Sequence, residues 1–174
     1  MSYQIYKNLV WLNELTLDEA ESAFLDCCGS QAWAHRMAAA RPFVMMEDLF
    51  QIATDIWRSL STVDHLEAFA AHPKIGSKKA AASQNIRAAN WSAGEQSGVD
   101  LAVKEVRDEL VDANSLYEDK FGFIFIVCAS GKTAEEMLAI CRARLGNSVQ
   151  TELAIAGEEQ RKITEIRLSK FLEK

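Results

Sequence analysis

The chain has 174 residues, of which 49% are apolar and 25% charged, with a formal net charge of −6. That length suits one domain over residues 1–174, with a core burying about two-thirds of the unfolded chain's surface. The acidic balance argues against non-specific binding to nucleic acid or to an anionic membrane, and no apolar run approaches the roughly 18 residues that span a bilayer.

At the N-terminus, MSYQIYKNLVWLNEL shows no basic start, apolar centre and small-residue cleavage site, so no signal peptide is expected and the expected setting is cytoplasmic. Four cysteines stand at 27, 28, 128 and 141 without a C-x-x-C spacing, which predicts buried, reduced thiols.

Helical periodicity dominates the rest. Thr16-Leu17-Asp18-Glu19 is a capping box, and Ala20, Phe24 and Leu25 follow at helical spacing until Cys28-Gly29 ends the pattern. A helix from Ser30 to about Ala40 puts Trp33 and Met37 one turn apart, and Arg41-Pro42 stops it. Met45, Leu49, Ile52, Ile56 and Leu60 form an apolar stripe over 44–60, and Ser61 or Thr62 caps a short helix leading to His72. Residues 77–90 read as weakly amphipathic helix. From Ser92 a charged helical pattern runs towards Lys120, with Leu101, Val106, Leu110 and Val111 as its inner face. FGFIFIVCA, residues 121–129, has strand propensity but no partner segment, which predicts a buried extended or irregular stretch, or a helix imposed by context. A second capping box, Thr133 to Glu136, opens a helix to about Leu145, and a last helix covers roughly 149–172. The expected fold is all-α, a single domain of about seven to nine helices.

His72 differs from His35 and His65, which sit within helical patterns. Pro73 has no N–H and a fixed φ, so it ends the helix and orients the residue before it. Gly76 permits a close approach, and Lys74, Lys78 and Lys79 make the surroundings cationic. Spacing alone favours a plain helix stop over a catalytic imidazole. Ser92-x-x-Glu95, with Gln96 beside it, reads as a third capping box. Gly94 within that first turn would let a ligand approach the helix start. A carboxylate set against an imidazole raises its basicity and fixes its tautomer. Arg167 has the guanidinium suited to a carboxylate or a planar urea-type group, yet it also fits any amphipathic helix. No H-E-x-x-H or cysteine–histidine spacing supports a metal, and no G-x-S-x-G supports a serine nucleophile.

Five segments in order carry a resemblance: A-W-A-H-R-M-A-A-A-R-P-F at 32–43, A-H-P-K-I-G at 71–76, S-A-G-E-Q-S-G at 92–98, F-G-F-I-F-I-V at 121–127 and E-x-x-K-I-T-x-I-R-L at 159–168. The set resembles the 2-oxo-4-hydroxy-4-carboxy-5-ureidoimidazoline (OHCU) decarboxylases of the urate-to-allantoin pathway, over nearly the whole chain. The resemblance implies a cofactor-free, metal-free, all-helical and usually dimeric decarboxylase that forms (S)-allantoin. It places the catalytic histidine at His72 and its acidic partner at Glu95. Substrate contacts fall on Pro73, Ser92, Gln96 and Arg167, and on the stretch Phe123, Ile124, Phe125 and Ile126. Family members often carry arginine or aspartate after His-Pro where this chain has Lys74. Other readings are a hydrolase or isomerase of a related cyclic ureide, and a non-catalytic helical interaction module.

Overall fold

The computed structural model describes residues 3–75, 86–100 and 104–173. Among them are ten helices and no strand: α1 (Tyr3–Glu14), α2 (Leu17–Cys28), α3 (Gln31–Ala39), α4 (Met46–Ser59), α5 (Thr62–Ala70), α6 (Ile86–Glu95), α7 (Ser97–Asp100), α8 (Lys104–Phe121), α9 (Ala134–Arg144) and α10 (Val149–Leu172). The expected all-α class is what is found, with α7 a single turn. Among the described residues, no helix is long and apolar enough to cross a membrane. Gly76, Lys78, Lys79, Leu101 and the 77–85 part of the helix predicted over 77–90 lie outside the described residues, while 86–90 are helical in α6.

The chain packs as two compact units, one of residues 1–68 and 161–174 and one of residues 69–160. In the first unit local sequence sets the helix ends. Thr16 and Glu19 cap α2 reciprocally, and Gly29 closes it at φ 81°. Ser30 caps α3 by accepting from the Trp33 N–H. At the start of α5 it is Ser61 that caps, exchanging hydrogen bonds with Asp64. Each such cap stabilises a helix by about 1 kcal/mol.

The segment 32–43 is structural in this unit. Trp33 and Met37 are fully buried, Trp33 Nε1 donates to the Ala53 carbonyl at 3.0 Å, and Phe24 meets both Trp33 and Phe43 edge-on. Arg41 Nη1 donates to the Leu12 and Leu15 carbonyls at 2.9 and 2.7 Å, satisfying acceptors that the end of α1 leaves open. Two stripes differ from expectation at their edges. Leu25 and Met45 are exposed, and α4 buries Leu49, Ala53, Ile56 and Trp57. Met45 stands one residue before α4, so its side chain is not held on the helix's inner face.

In the second unit α8 buries Leu110, Ala113, Asn114, Tyr117 and Phe121. The expected face was Val106, Leu110 and Val111, but Val111 is exposed. The aromatic side chains towards the C-terminal end outweigh the valines and set the rotation of the helix, because they bury far more area per residue. Gly122 at φ 76° ends α8, with its N–H on the Glu118 carbonyl at 2.8 Å. Residues 124–129 then run without helix or strand, nearly all buried, as the sequence predicts. Backbone polar groups buried without a ladder need other partners, and side chains provide them. Arg144 Nη1 donates to the Ile126 carbonyl at 2.8 Å, the Cys128 N–H donates to Glu159 Oε2 at 2.7 Å, and Lys132 Nζ donates to the Cys128 carbonyl at 2.7 Å. Behind them Glu152 gathers Tyr117 Oη, Arg144 Nε and Asn147 Nδ2 at 2.5, 2.6 and 2.8 Å.

The third capping box is a correction. Ser92 and Glu95 do not open a helix: both lie in α6, which ends at Glu95. The stretch I-R-A-A-N-W before them continues a helix through Ser92, and the Gln96 N–H still bonds the Ser92 carbonyl at 3.1 Å. An S-x-x-E spacing inside a helix places both side chains on one face, and here that face is buried. The charged pattern is likewise interrupted at Gln96, between α6 and α7. Gly98 explains the turn at α7, since a Cβ there would stand 2.2 Å from the Lys132 carbonyl oxygen. That close approach, which only glycine allows, draws α7 against the residues preceding α9. At Gly94 a Cβ would meet nothing within 4 Å.

Candidate active site

The His-Pro segment leaves α5 as predicted, two residues past the helix end, with the His72 N–H still on the Phe69 carbonyl at 3.1 Å. Four consecutive residues are then held by three different helices of the second unit. His72 Nε2 lies 2.8 Å from Gln160 Oε1 on α10. Gln96, just past α6, donates from Nε2 to the Pro73 carbonyl at 3.3 Å. Lys74 Nζ pairs with Glu118 of α8 at 2.5 Å. Asn114 of α8 donates from Nδ2 to the Ile75 carbonyl at 3.4 Å and to the Leu110 carbonyl at 2.8 Å. A segment without secondary structure of its own is thereby fixed at side chains and carbonyls alike.

Glu95 and Ser92 are 8% and 3% exposed on the inner face of α6. Burial raises the Cys128 thiol above its ordinary value. Lys132 pulls it down, and the carboxylates of Glu159 and Glu95 push it further up. The Cys128 N–H is bound by Glu159. Hydrogen bonds link these neighbours: Gln96, next to Glu95, on Pro73, His72 on Gln160, and Glu159, next to Gln160, on Cys128. The helix end carrying the carboxylate, the His-Pro turn, the irregular segment and α10 thus share one small region of this unit.

The aromatic stretch occupies the same unit. Phe123 stacks on Phe69 at 5.5 Å and meets Tyr117 edge-on at 5.9 Å. Phe125 packs on Tyr117 at 5.2 Å under the Arg144 guanidinium, and Ile126 is buried with its carbonyl bound to Arg144. Ile124 is half-buried. Arg167 belongs to the first unit, where it is 3% exposed and pulls down the Cys28 thiol, which burial nevertheless pushes up to about 12. Lys74, exposed in its pair with Glu118, is a surface tether.

Gln160, Glu159 and Asn114 are site-forming residues that motif spacing did not single out. Glu159 and Gln160 sit in the E-x-x-K-I-T-x-I-R-L segment, and Asn114 is a lone amide on an otherwise apolar helix face, a signal that could have found it. Chemically the region offers an oriented imidazole, a buried carboxylate and amide donors, the components of a proton-handling site for a small polar molecule.

Known proteins are similar to this chain in sequence and in fold. The family model described as OHCU decarboxylase matches residues 13–169. The uric acid degradation bifunctional protein TTL of Arabidopsis thaliana is 40% identical over 159 residues, covering 90% of this chain and 48% of that protein; the chain spans about half the length of that relative. The 2-oxo-4-hydroxy-4-carboxy-5-ureidoimidazoline decarboxylase of Amia calva is 29% identical over 140 residues, covering 78% of this chain and 77% of that one. A crystal structure of OHCU decarboxylase in the presence of (S)-allantoin matches with a TM-score of 0.76 at 38% identity, covering 87% of this chain and 97% of that one. With the family model matching residues 13–169 and this fold shared, the chain belongs to the OHCU decarboxylase family.

Proposed function

We propose that the chain decarboxylates OHCU to (S)-allantoin without metal or organic cofactor, as a step of urate degradation. The observation that carries this reading is the set of hydrogen bonds that joins the His72-Pro73 turn to Gln160 and to Gln96 at the end of the helix carrying Glu95, with Glu159 bound to the Cys128 N–H. In the reaction the bond to the carboxylate carbon breaks and its electron pair passes into the conjugated imidazoline system. A proton is then returned to a ring carbon. The ring itself is the electron sink, so the protein has to orient the carboxylate out of the ring plane, stabilise the developing charge and supply one proton to one face.

His72, supported by Glu95, handles the proton in this proposal. Gln96 and Ser92 orient the ureide, the turn at Pro73 fixes the imidazole, and Phe123, Ile124, Phe125 and Ile126 form the stretch against which the ring lies. Arg167 carries the carboxylate-orienting role on the strength of its motif position alone. A homodimer in the cytoplasm is part of the same proposal, and sedimentation of the purified chain tests the dimer.

Fresh OHCU decays spontaneously to racemic product, so optical activity separates enzyme from background. The expected result is CO₂ release with formation of a single allantoin enantiomer faster than the uncatalysed decay. A ring-opened or isomerised product without CO₂ would replace decarboxylation with another ureide reaction.

A further inference from the structure

The contact between His72 and Gln160 specifies more than position. Gln160 is fully buried, and its amide oxygen faces His72 Nε2 at 2.8 Å. A carbonyl oxygen only accepts hydrogen bonds, so with the amide in this orientation the neutral ring carries its proton on Nε2. Next to Gln160, Glu159 accepts from the Cys128 N–H at 2.7 Å, which anchors α10 at this level. The backbone that carries the ring is held by the bond from the His72 backbone N–H to the Phe69 carbonyl and by the fixed φ of Pro73. The partner's neutrality also matters. A carboxylate at this position would stabilise the charged imidazolium, whereas an amide selects a tautomer without adding a charge.

We propose that Gln160 is a positioning residue that holds His72 as the Nε2–H tautomer. The effect on turnover expected below rests on the decarboxylase reading above.

The test uses the full chain labelled with ¹⁵N-histidine, in the pH range where the imidazoles are neutral. His72 is identified among the three histidines by the signals lost in His72→Asn. Long-range ¹H–¹⁵N correlation distinguishes the two tautomers by which ring nitrogen carries the proton. The wild type is expected to show the Nε2–H pattern, Gln160→Glu to keep it because an acceptor remains, and Gln160→Met to give a mixture. In turnover, Gln160→Met is expected to lower kcat about tenfold or more, within the range that acid–base catalysis contributes, with KM changed less than about twofold because substrate contacts are intact. A wild-type spectrum of the Nδ1–H form, or an unchanged Nε2–H pattern in Gln160→Met, would overturn the assignment. Should Gln160→Met fail to fold, the wild-type spectrum still decides it. A tautomer as expected in a protein that leaves OHCU untouched would instead defeat the decarboxylase reading alone.

Discussion

Arg144 and Glu152, both buried, face each other across 2.6 Å between Nε and Oε1, and through them the irregular segment is tied to α9 and α10. Arg144 also reaches the Ile126 carbonyl and lies over the Phe125 ring, while Glu152 accepts from Tyr117 and Asn147. Removing one partner of a buried pair leaves the other charge desolvated and uncompensated. Arg144→Met is therefore expected to lower stability by about 3–5 kcal/mol, and Arg144→Met combined with Glu152→Leu to recover part of that loss. Urea unfolding of the two variants checks the order.

Alkaline pH should weaken the fold in a defined window. Burial raises the Cys28 thiol from 9.0 to about 12 and the Cys141 thiol to about 11, and it raises the Tyr117 hydroxyl as well. These folded-state values lie above the unfolded ones, so the unfolded chain loses protons first as pH rises. The stability tied to these groups is present in full below about pH 9 and is lost progressively above it, by up to about 1.4 kcal/mol per pH unit for each group. Denaturant midpoints measured from pH 7 to 11 should fall beyond pH 9, and Cys28→Ala should flatten that slope.

The two glycines of the S-A-G-E-Q-S-G segment should respond oppositely to alanine. Gly98→Ala forces a methyl onto the backbone oxygen of Lys132 and is expected to cost about 1–3 kcal/mol. Gly94→Ala adds a methyl into open space within α6 and is expected to leave stability unchanged or raise it by up to about 1 kcal/mol. Thermal unfolding of the pair distinguishes them.

This difference also marks where sequence reasoning reached its limit. The boxes at Thr16–Glu19 and Thr133–Glu136 cap the helices they announce, because their pairing is local and each begins where the chain is already out of helix. Ser92–Glu95 has the same letters, but an S-x-x-E spacing equally suits the inner face of a helix already under way, and the alanine-rich approach decides between them. The run at 121–129 was legible as buried and unpaired, since its composition demanded burial and no second strand existed. What holds it was not legible. Tyr117 and Glu152 are 35 residues apart and His72 and Gln160 are 88 apart, and side-chain pairings at such separations leave no periodic trace. The candidate residues near His72 came from resemblance over five segments, while their supports emerged only from the fold.

Lys74 tests whether the departure after His-Pro matters. Its pair with Glu118 is solvent-exposed, and exposed pairs contribute at most about 1 kcal/mol. Lys74→Ala is therefore expected to shift the denaturant midpoint only slightly and to leave OHCU turnover at the wild-type rate, as judged by optical assay.

The most direct test compares wild type with His72→Asn on freshly generated OHCU, following optical rotation as substrate is consumed. The account predicts that wild type forms a single enantiomer of allantoin, and that the variant, still folded, loses about 10²–10⁴-fold in rate and drifts towards racemic product. An asparagine variant that yields enantiopure allantoin at the wild-type rate would contradict it.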